Sequence, residues 1–229
     1  PAQVFKIFKK FSSAGYEIYL VGGAVRDLLL EKTVHDCDFT SNAHPKVIQE
    51  LLPDSFYDNV FGTVGIIVRT ENNDEKYEIT TYRSEKGYTD KRRPDKVWWG
   101  KSLDEDLKRR DFTINSMAIG PNIPLHTSHP HPNLELIDLF EGQEDLKNKL
   151  IRAVGNPDER FSEDALRMMR AVRLAAQLGF TIEPKTFTAI QANSKLINKI
   201  SKETLLIFSF PPPHQPLPQS SIILINQQI

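Results

Sequence analysis

Apolar residues recur at helical spacing at the start of the chain, where Val4, Ile7, Phe8 and Phe11 share one side, lysines take the other and Gly15 offers a stop. The period then changes. Residues 17–21 (EIYLV) read as a short strand that runs into Gly22-Gly23 and straight on into a helical AVRDLLL. A second strand is predicted at 36–40, and a helix after Pro45 carries Val47, Ile48, Leu51 and Leu52. Residues 64–68 and 77–82, rich in β-branched and aromatic side chains, read as two more strands. The pattern predicts a mixed α/β head built on a sheet of about five strands.

Residues 84–96 (SEKGYTDKRRPDK) are polar and charged and read as a mobile loop. A short charged helix is expected around 104–109, followed by the apolar-leaning DFTINSMAIG. PNIPLHTSHPHPN (121–133) reads as a turn or surface insertion. Its His126, His129 and His131 have an H-x₂-H-x-H spacing that a metal can use, but the interleaved prolines favour the insertion. Beyond Asn156-Pro157 one helix is predicted over 158–178, ended by Gly179, and another from 184 to about 199. In FSFPPPHQPLPQSSIILINQQI (208–229) three consecutive prolines forbid a helix. A linker and an abnormal end, truncated or frame-shifted, both fit that stretch. The expected organisation is a catalytic head over 1–150, a helical neck over 151–205 and an irregular tail over 206–229.

Composition narrows the function classes. Of 229 residues, 29 are Lys or Arg and 30 Asp or Glu, a net charge of −1 that argues against coating nucleic acid but leaves room for a local basic groove. A single cysteine excludes a disulfide framework or a Cys-based zinc site and fits a reducing, cytoplasmic setting. No apolar run reaches the roughly 18 residues of a membrane span, so no membrane partner is expected. The N-terminal stretch lacks the apolar core of a signal peptide, although opening at Pro1 is compatible with trimming.

Four constellations carry chemistry. Paired glycines, Gly22 and Gly23, at a strand–helix junction let backbone approach a phosphate, and Arg26 can clamp it by fork-like hydrogen bonds; an ordinary glycine turn is the alternative. Asp36 and Asp38 flank Cys37 in a predicted strand, so both carboxylates point to one side. Like charges that close repel unless a cation sits between them, and Mg2+ suits carboxylate oxygens completed by water and substrate phosphates; a solvated DxD at a strand end is the simpler alternative. Glu78, in YEITTY, is either a third carboxylate of a two-metal phosphoryl-transfer site or a rim residue. In LKRRDFTINSMA (107–118), Arg109 and Arg110 are followed by Asp111, which can orient one of them toward a triphosphate. Finally, Arg167, Arg170 and Arg173 recur every third residue with Asp164 one step earlier, drifting about 60° per step around a helix. An Asp164/Arg167 pair can read a nucleobase by its Watson–Crick edge while Arg170 and Arg173 face phosphates; an intrahelical salt bridge is the simpler alternative.

Taken in order, GGAVRDLLL, DCD, EITTYR, DEDLKRRDFTINSMA and EDALRMMRAVRLAAQLGF resemble the class II nucleotidyltransferases of the polymerase β superfamily, which include tRNA CCA-adding enzymes and bacterial poly(A) polymerases. The resemblance covers about residues 16–200 and implies an α/β catalytic head followed by a helical neck. It implies that Asp36 and Asp38 bind metal, with Glu78 beside them, and that Gly23, Arg26 and Arg110 contact nucleotide. It further implies that Asp164 and Arg167 select CTP or ATP without a nucleic-acid template, with Arg170 and Arg173 as further nucleotide contacts. The implied reaction is magnesium-dependent addition of C, C and A to the 3′ end of tRNA. A poly(A) polymerase, or a nucleotide- or RNA-binding remnant without turnover, remains an alternative. The basic stretch GYTDKRRPDKVWW (87–99) is similar to the flexible loop of enzymes that add the terminal A. The body and tail helices with which the family holds the acceptor stem are not recognisable after Lys199.

Overall fold

The computed structural model describes residues 2–34, 36–57, 62–69, 74–86, 96–100, 102–122 and 133–200. They fall into two compact units. The first holds the residues up to Ser84 with Val97–Arg110 and Asn115–Gly142; the second holds Glu85–Lys96, Asp111–Ile114 and the chain from Gln143 onward. The stretch 87–95, the histidines at 126, 129 and 131, and residues 201–229 lie outside the described residues.

Up to Asp138 the chain runs α1 (Ala2–Ser13), β1 (Ile18–Val21), α2 (Gly23–Leu29), β2 (Cys37–Ser41), α3 (Pro45–Leu51), β3 (Ser55–Tyr57), β4 (Thr63–Arg69), β5 (Asp74–Thr81), β6 (Arg83–Lys86), β7 (Lys96–Trp99), α4 (Leu103–Lys108), β8 (Met117–Pro121) and β9 (Leu134–Asp138). The main sheet has seven strands in the order β3-β4-β5-β2-β1-β8-β9, two more than the sequence pattern suggested. Short β3 has three residues, and β8 is buried along nearly its whole length, so neither shows the polar alternation that marks a half-exposed strand. Within this sheet only β2 and β5 pair in parallel; the other neighbours are antiparallel.

Registers sort side chains onto two faces, because residues directly opposed across a ladder point the same way. Leu20, Phe39 and Ile79 stand opposite one another, and so do Val21, Asp38 and Glu78. The first face is covered by α1, whose Val4, Ile7, Phe8 and Phe11 are all buried as their spacing predicted. The Phe8 ring meets Phe39 edge-on at 6.0 Å, and Phe39 lies 5.9 Å from Tyr77. Burying one such ring is worth about 1.5–3 kcal/mol, which fixes the strand register and leaves Asp38 on the opposite face. There, Val21, Tyr82 and Ala118 pack with Leu103 and Leu107 of α4. Ser102 caps α4 by accepting the Glu105 N–H at 3.4 Å, and acidic residues fill its first turn.

The second unit contains α5 (Gly142–Lys147), β10 (Leu150–Ile151), α6 (Pro157–Glu163), α7 (Leu166–Leu178), β11 (Thr181–Ile182) and α8 (Pro184–Asn193), closed by a 3₁₀ turn at Ser194–Lys199; a further 3₁₀ turn spans Thr113–Asn115. The single helix expected over 158–178 is two helices. Asp164 is extended (φ −133°, ψ 105°) and its Oδ1 accepts the Leu166 N–H at 2.9 Å, so its short side chain competes for a backbone donor and restarts the helix. The helix expected to reach 199 ends at Asn193 and tightens into 3₁₀. A buried Thr113 hydroxyl donates to Asp145 at 2.5 Å, and Arg152 Nε joins the same carboxylate at 2.8 Å.

Candidate active site

Asp38 sits mid-sheet, opposite Val21 on one side and Glu78 on the other. The strand begins at Cys37, one residue later than predicted, so Asp36 is exposed just before it. Cys37 faces the core as expected, and burial pushes its thiol up to about 11. Asp38 is reachable by solvent as a residue, yet the protein packed around its carboxyl group raises the pKa, with Glu78 and then Asp36 adding repulsion and Arg110 opposing it. Asp38 therefore sits among like charges, Glu78 opposite it on the ladder and Asp36 two residues before it. Glu78, however, is engaged by Lys76 at 2.7 Å. Among the described residues no three His, Cys, Asp or Glu side chains converge closely enough to hold a metal ion. Two adjacent carboxylates fit magnesium all the same, because that ion takes one or two carboxylates and completes its shell with water and phosphate oxygens.

The glycine turn stands where β1 ends. Gly22 has φ 72° and ψ −139°, a region open to glycine almost alone. A Cβ there would lie 3.3 Å from Arg110 Nη1 and 3.9 Å from Asp38 Oδ2, so turn, arginine and carboxylate crowd one spot. Arg26 is pinned by both oxygens of Asp27 at 2.8 Å and donates through Nη1 to Asn115 at 2.9 Å. Its guanidinium lies against Gly23, 3.4 Å from where a Cβ would be.

The sequence pattern lets Asp111 orient one of the two arginines; in the structure Asp106 holds both. Asp106 is fully buried on α4. Its Oδ1 accepts from Arg109 at 3.0 and 2.6 Å, and its Oδ2 accepts from Arg110 at 3.1 Å. Burial alone would raise its pKa, but the two arginines override that and hold it at about 2. The i, i+3 and i, i+4 spacing of D-L-K-R-R on one helix was the available signal. Arg110 Nε is buried and has no hydrogen-bond partner among the described residues.

In the second unit Asp111 is buried and accepts from Arg170 Nε at 2.5 Å. Burial would raise its pKa too; Arg170, the Phe112 N–H and Arg167 lower it. Arg167 is buried and donates to Glu163 at 2.7 Å and to the Arg160 carbonyl at 3.3 Å, a partner that the Asp164/Arg167 reading missed. Asp164 precedes α7, on which Arg167, Arg170 and Arg173 lie.

The central carboxylates of a mixed sheet, set beside a glycine turn and a held arginine, define a nucleotidyltransferase-type head. The chain belongs to the Poly A polymerase head domain family, whose model matches residues 18–152. Residues 179–203 match a second model, described as the probable RNA and SrmB-binding site of polymerase A. A CCA-adding enzyme from Lactobacillus helveticus is 50% identical over 200 residues, covering 87% of this chain and 46% of the relative. The crystal structure of the Bacillus stearothermophilus CCA-adding enzyme in complex with CTP superposes with a TM-score of 0.75 at 36% identity, covering 91% of this chain and 47% of that one. A tRNA nucleotidyltransferase complexed with a primer tRNA and an incoming ATP analog gives 0.62 at 34% identity, covering 84% of this chain and 50% of that one. The chain spans about half the length of the curated relatives it matches. Among the described residues no helix is long and apolar enough to cross a membrane.

Proposed function

We propose that this chain carries the catalytic head and nucleotide-selecting helix of a magnesium-dependent, template-independent nucleotidyltransferase that adds C, C and A from CTP and ATP to the 3′ end of tRNA. The observation that carries the reading is the crowding of Asp38, Gly22 and Arg110 at one spot on the sheet. Its likeness to CCA-adding enzymes, at 50% and 47% identity in two of them, supports CCA addition over poly(A) synthesis. Asp36 and Asp38 would hold the magnesium, which when bound offsets negative charge and makes a hydroxyl a better nucleophile. The 3′ hydroxyl of the RNA attacks the α-phosphate of the NTP and pyrophosphate leaves. Arg110, oriented by Asp106, presents donors beside that carboxylate, and Gly22 keeps the approach clear of a side chain. Arg26, braced by Asp27 and Asn115, is the second cation of this unit placed for phosphates. In the second unit Asp164 and Arg167 choose the base, Glu163 bracing the guanidinium, and Arg170 and Arg173 contact phosphate.

The test is incorporation of labelled CTP and ATP into tRNA lacking CCA. Three added nucleotides are expected, with Asp38→Ala reduced to background. A product running on for tens of adenylates would assign poly(A) synthesis instead, and undiminished incorporation by Asp38→Ala would remove the metal assignment.

A further inference from the structure

The face that carries the carboxylates continues outward across the sheet. Asp38, Glu78, Gly65 and Phe56 stand opposite one another on β2, β5, β4 and β3, in one row. Phe56 is 40% exposed, and its ring covers Gly65, where a Cβ would lie 2.6 Å from the nearest ring carbon. In the next row on the same face, Lys76 opposes Ile67, which is 50% exposed. Lys76 Nζ lies 5.9 Å from the Phe56 ring centroid and 2.7 Å from the Glu78 carboxylate. Aromatic, aliphatic and cationic groups thus form one surface that leads to the anionic site.

Water is a poor neighbour for such a surface. A flat aromatic ring with a lysine beside it is what a single strand of nucleic acid needs, because every base has a face to stack and every link carries a negative charge. We infer that Phe56, with Ile67 and Lys76, is a stacking platform for the single-stranded 3′ end of the RNA whose terminal hydroxyl reacts beside Asp36 and Asp38. This rests on the function proposed above. Strands lie about 4.8 Å apart, so a ring drawn in over Gly65 stands roughly 10 Å from Asp38. That is the length of about three nucleotides stacked at ~3.4 Å each. The platform therefore holds the strand behind its reacting end and leaves the incoming NTP untouched. Gly65 serves it by giving the ring a seat.

The experiment measures binding of a short fluorescent single-stranded RNA ending in CC by anisotropy, and binding of CTP by calorimetry, on the full chain and its variants. Phe56→Ala is expected to weaken RNA on the order of tenfold with CTP affinity unchanged. Phe56→Trp restores it, and Gly65→Ala, which lifts the ring from its seat, weakens RNA as Phe56→Ala does. Unchanged RNA affinity in Phe56→Ala, or an equal loss of RNA and CTP binding, overturns the platform. So does a light-scattering mass that falls in Phe56→Ala with RNA binding intact, which would assign the face to a second copy of the chain. If CTP is incorporated but RNA binding ignores Phe56, the platform fails and the reaction stands. If nothing is incorporated yet RNA binding follows Phe56, the reaction fails and the platform stands.

Discussion

Asp38 and Asp106 show two opposite fates of a carboxylate in one unit. Around Asp38, burial and the neighbouring Glu78 and Asp36 raise the pKa, so ionisation is disfavoured in the folded state. Its favourable contribution to stability is full below the unfolded pKa and is lost as pH rises through the higher folded one. Asp38→Asn should therefore raise the melting temperature at neutral pH by a few degrees while abolishing CTP incorporation, and calorimetry with the incorporation assay checks both. Asp106 works the other way. Its folded pKa of about 2 lies below the unfolded value of about 3.9, so its stabilisation is complete above about pH 4 and lost as pH falls toward 2. The linked free energy is on the order of 2 kcal/mol. Asp106→Asn should cost about 3 kcal/mol in urea unfolding, flatten that acid limb and raise KM for CTP by loosening Arg110. The arginines were legible in the sequence and their holder was not, because motif reading follows adjacency: Asp111 is next to the pair in the chain, Asp106 on the helix.

At the scale of elements, periodicity found what one buried face controls. The helix over Ala2–Ser13 and the strands of the DxD and EITTY segments were legible because their core positions recur at 3.6 or 2 residues. The same rule failed between 158 and 178, where the apolar pattern runs on through a break that Asp164 makes with one hydrogen bond. It also failed at β8, whose glycine is set by a neighbour rather than by its own segment. A Cβ on Gly120 would lie 2.2 Å from the Tyr19 ring and 2.9 Å from the Ile18 carbonyl oxygen. The ring can turn, but the carbonyl belongs to a paired strand. Gly120→Ala should cost about 1–3 kcal/mol, read as a lower urea midpoint with unchanged m.

For the whole molecule, a ligand that binds only the folded state should stabilise it in proportion to its concentration. Magnesium is expected to raise the melting temperature of the unsubstituted chain and to leave an Asp36→Asn, Asp38→Asn variant where it was; equal shifts in both would place the ion elsewhere. The order of motifs along the chain carried the family and the list of chemical groups, since those depend on residue type and spacing. It also carried the α/β character of the head, which comes from local period. The tertiary structure alone decided which groups meet: the strand register that sets Asp38 beside Glu78 and puts Phe56 in their row, Asp106 beneath the two arginines, and Arg170 on Asp111. Those pairings join residues on different strands, across a helix turn, or on a helix and a bend far away in the chain, and are settled by which apolar faces can be buried together. A linear pattern contains the faces but not their partners.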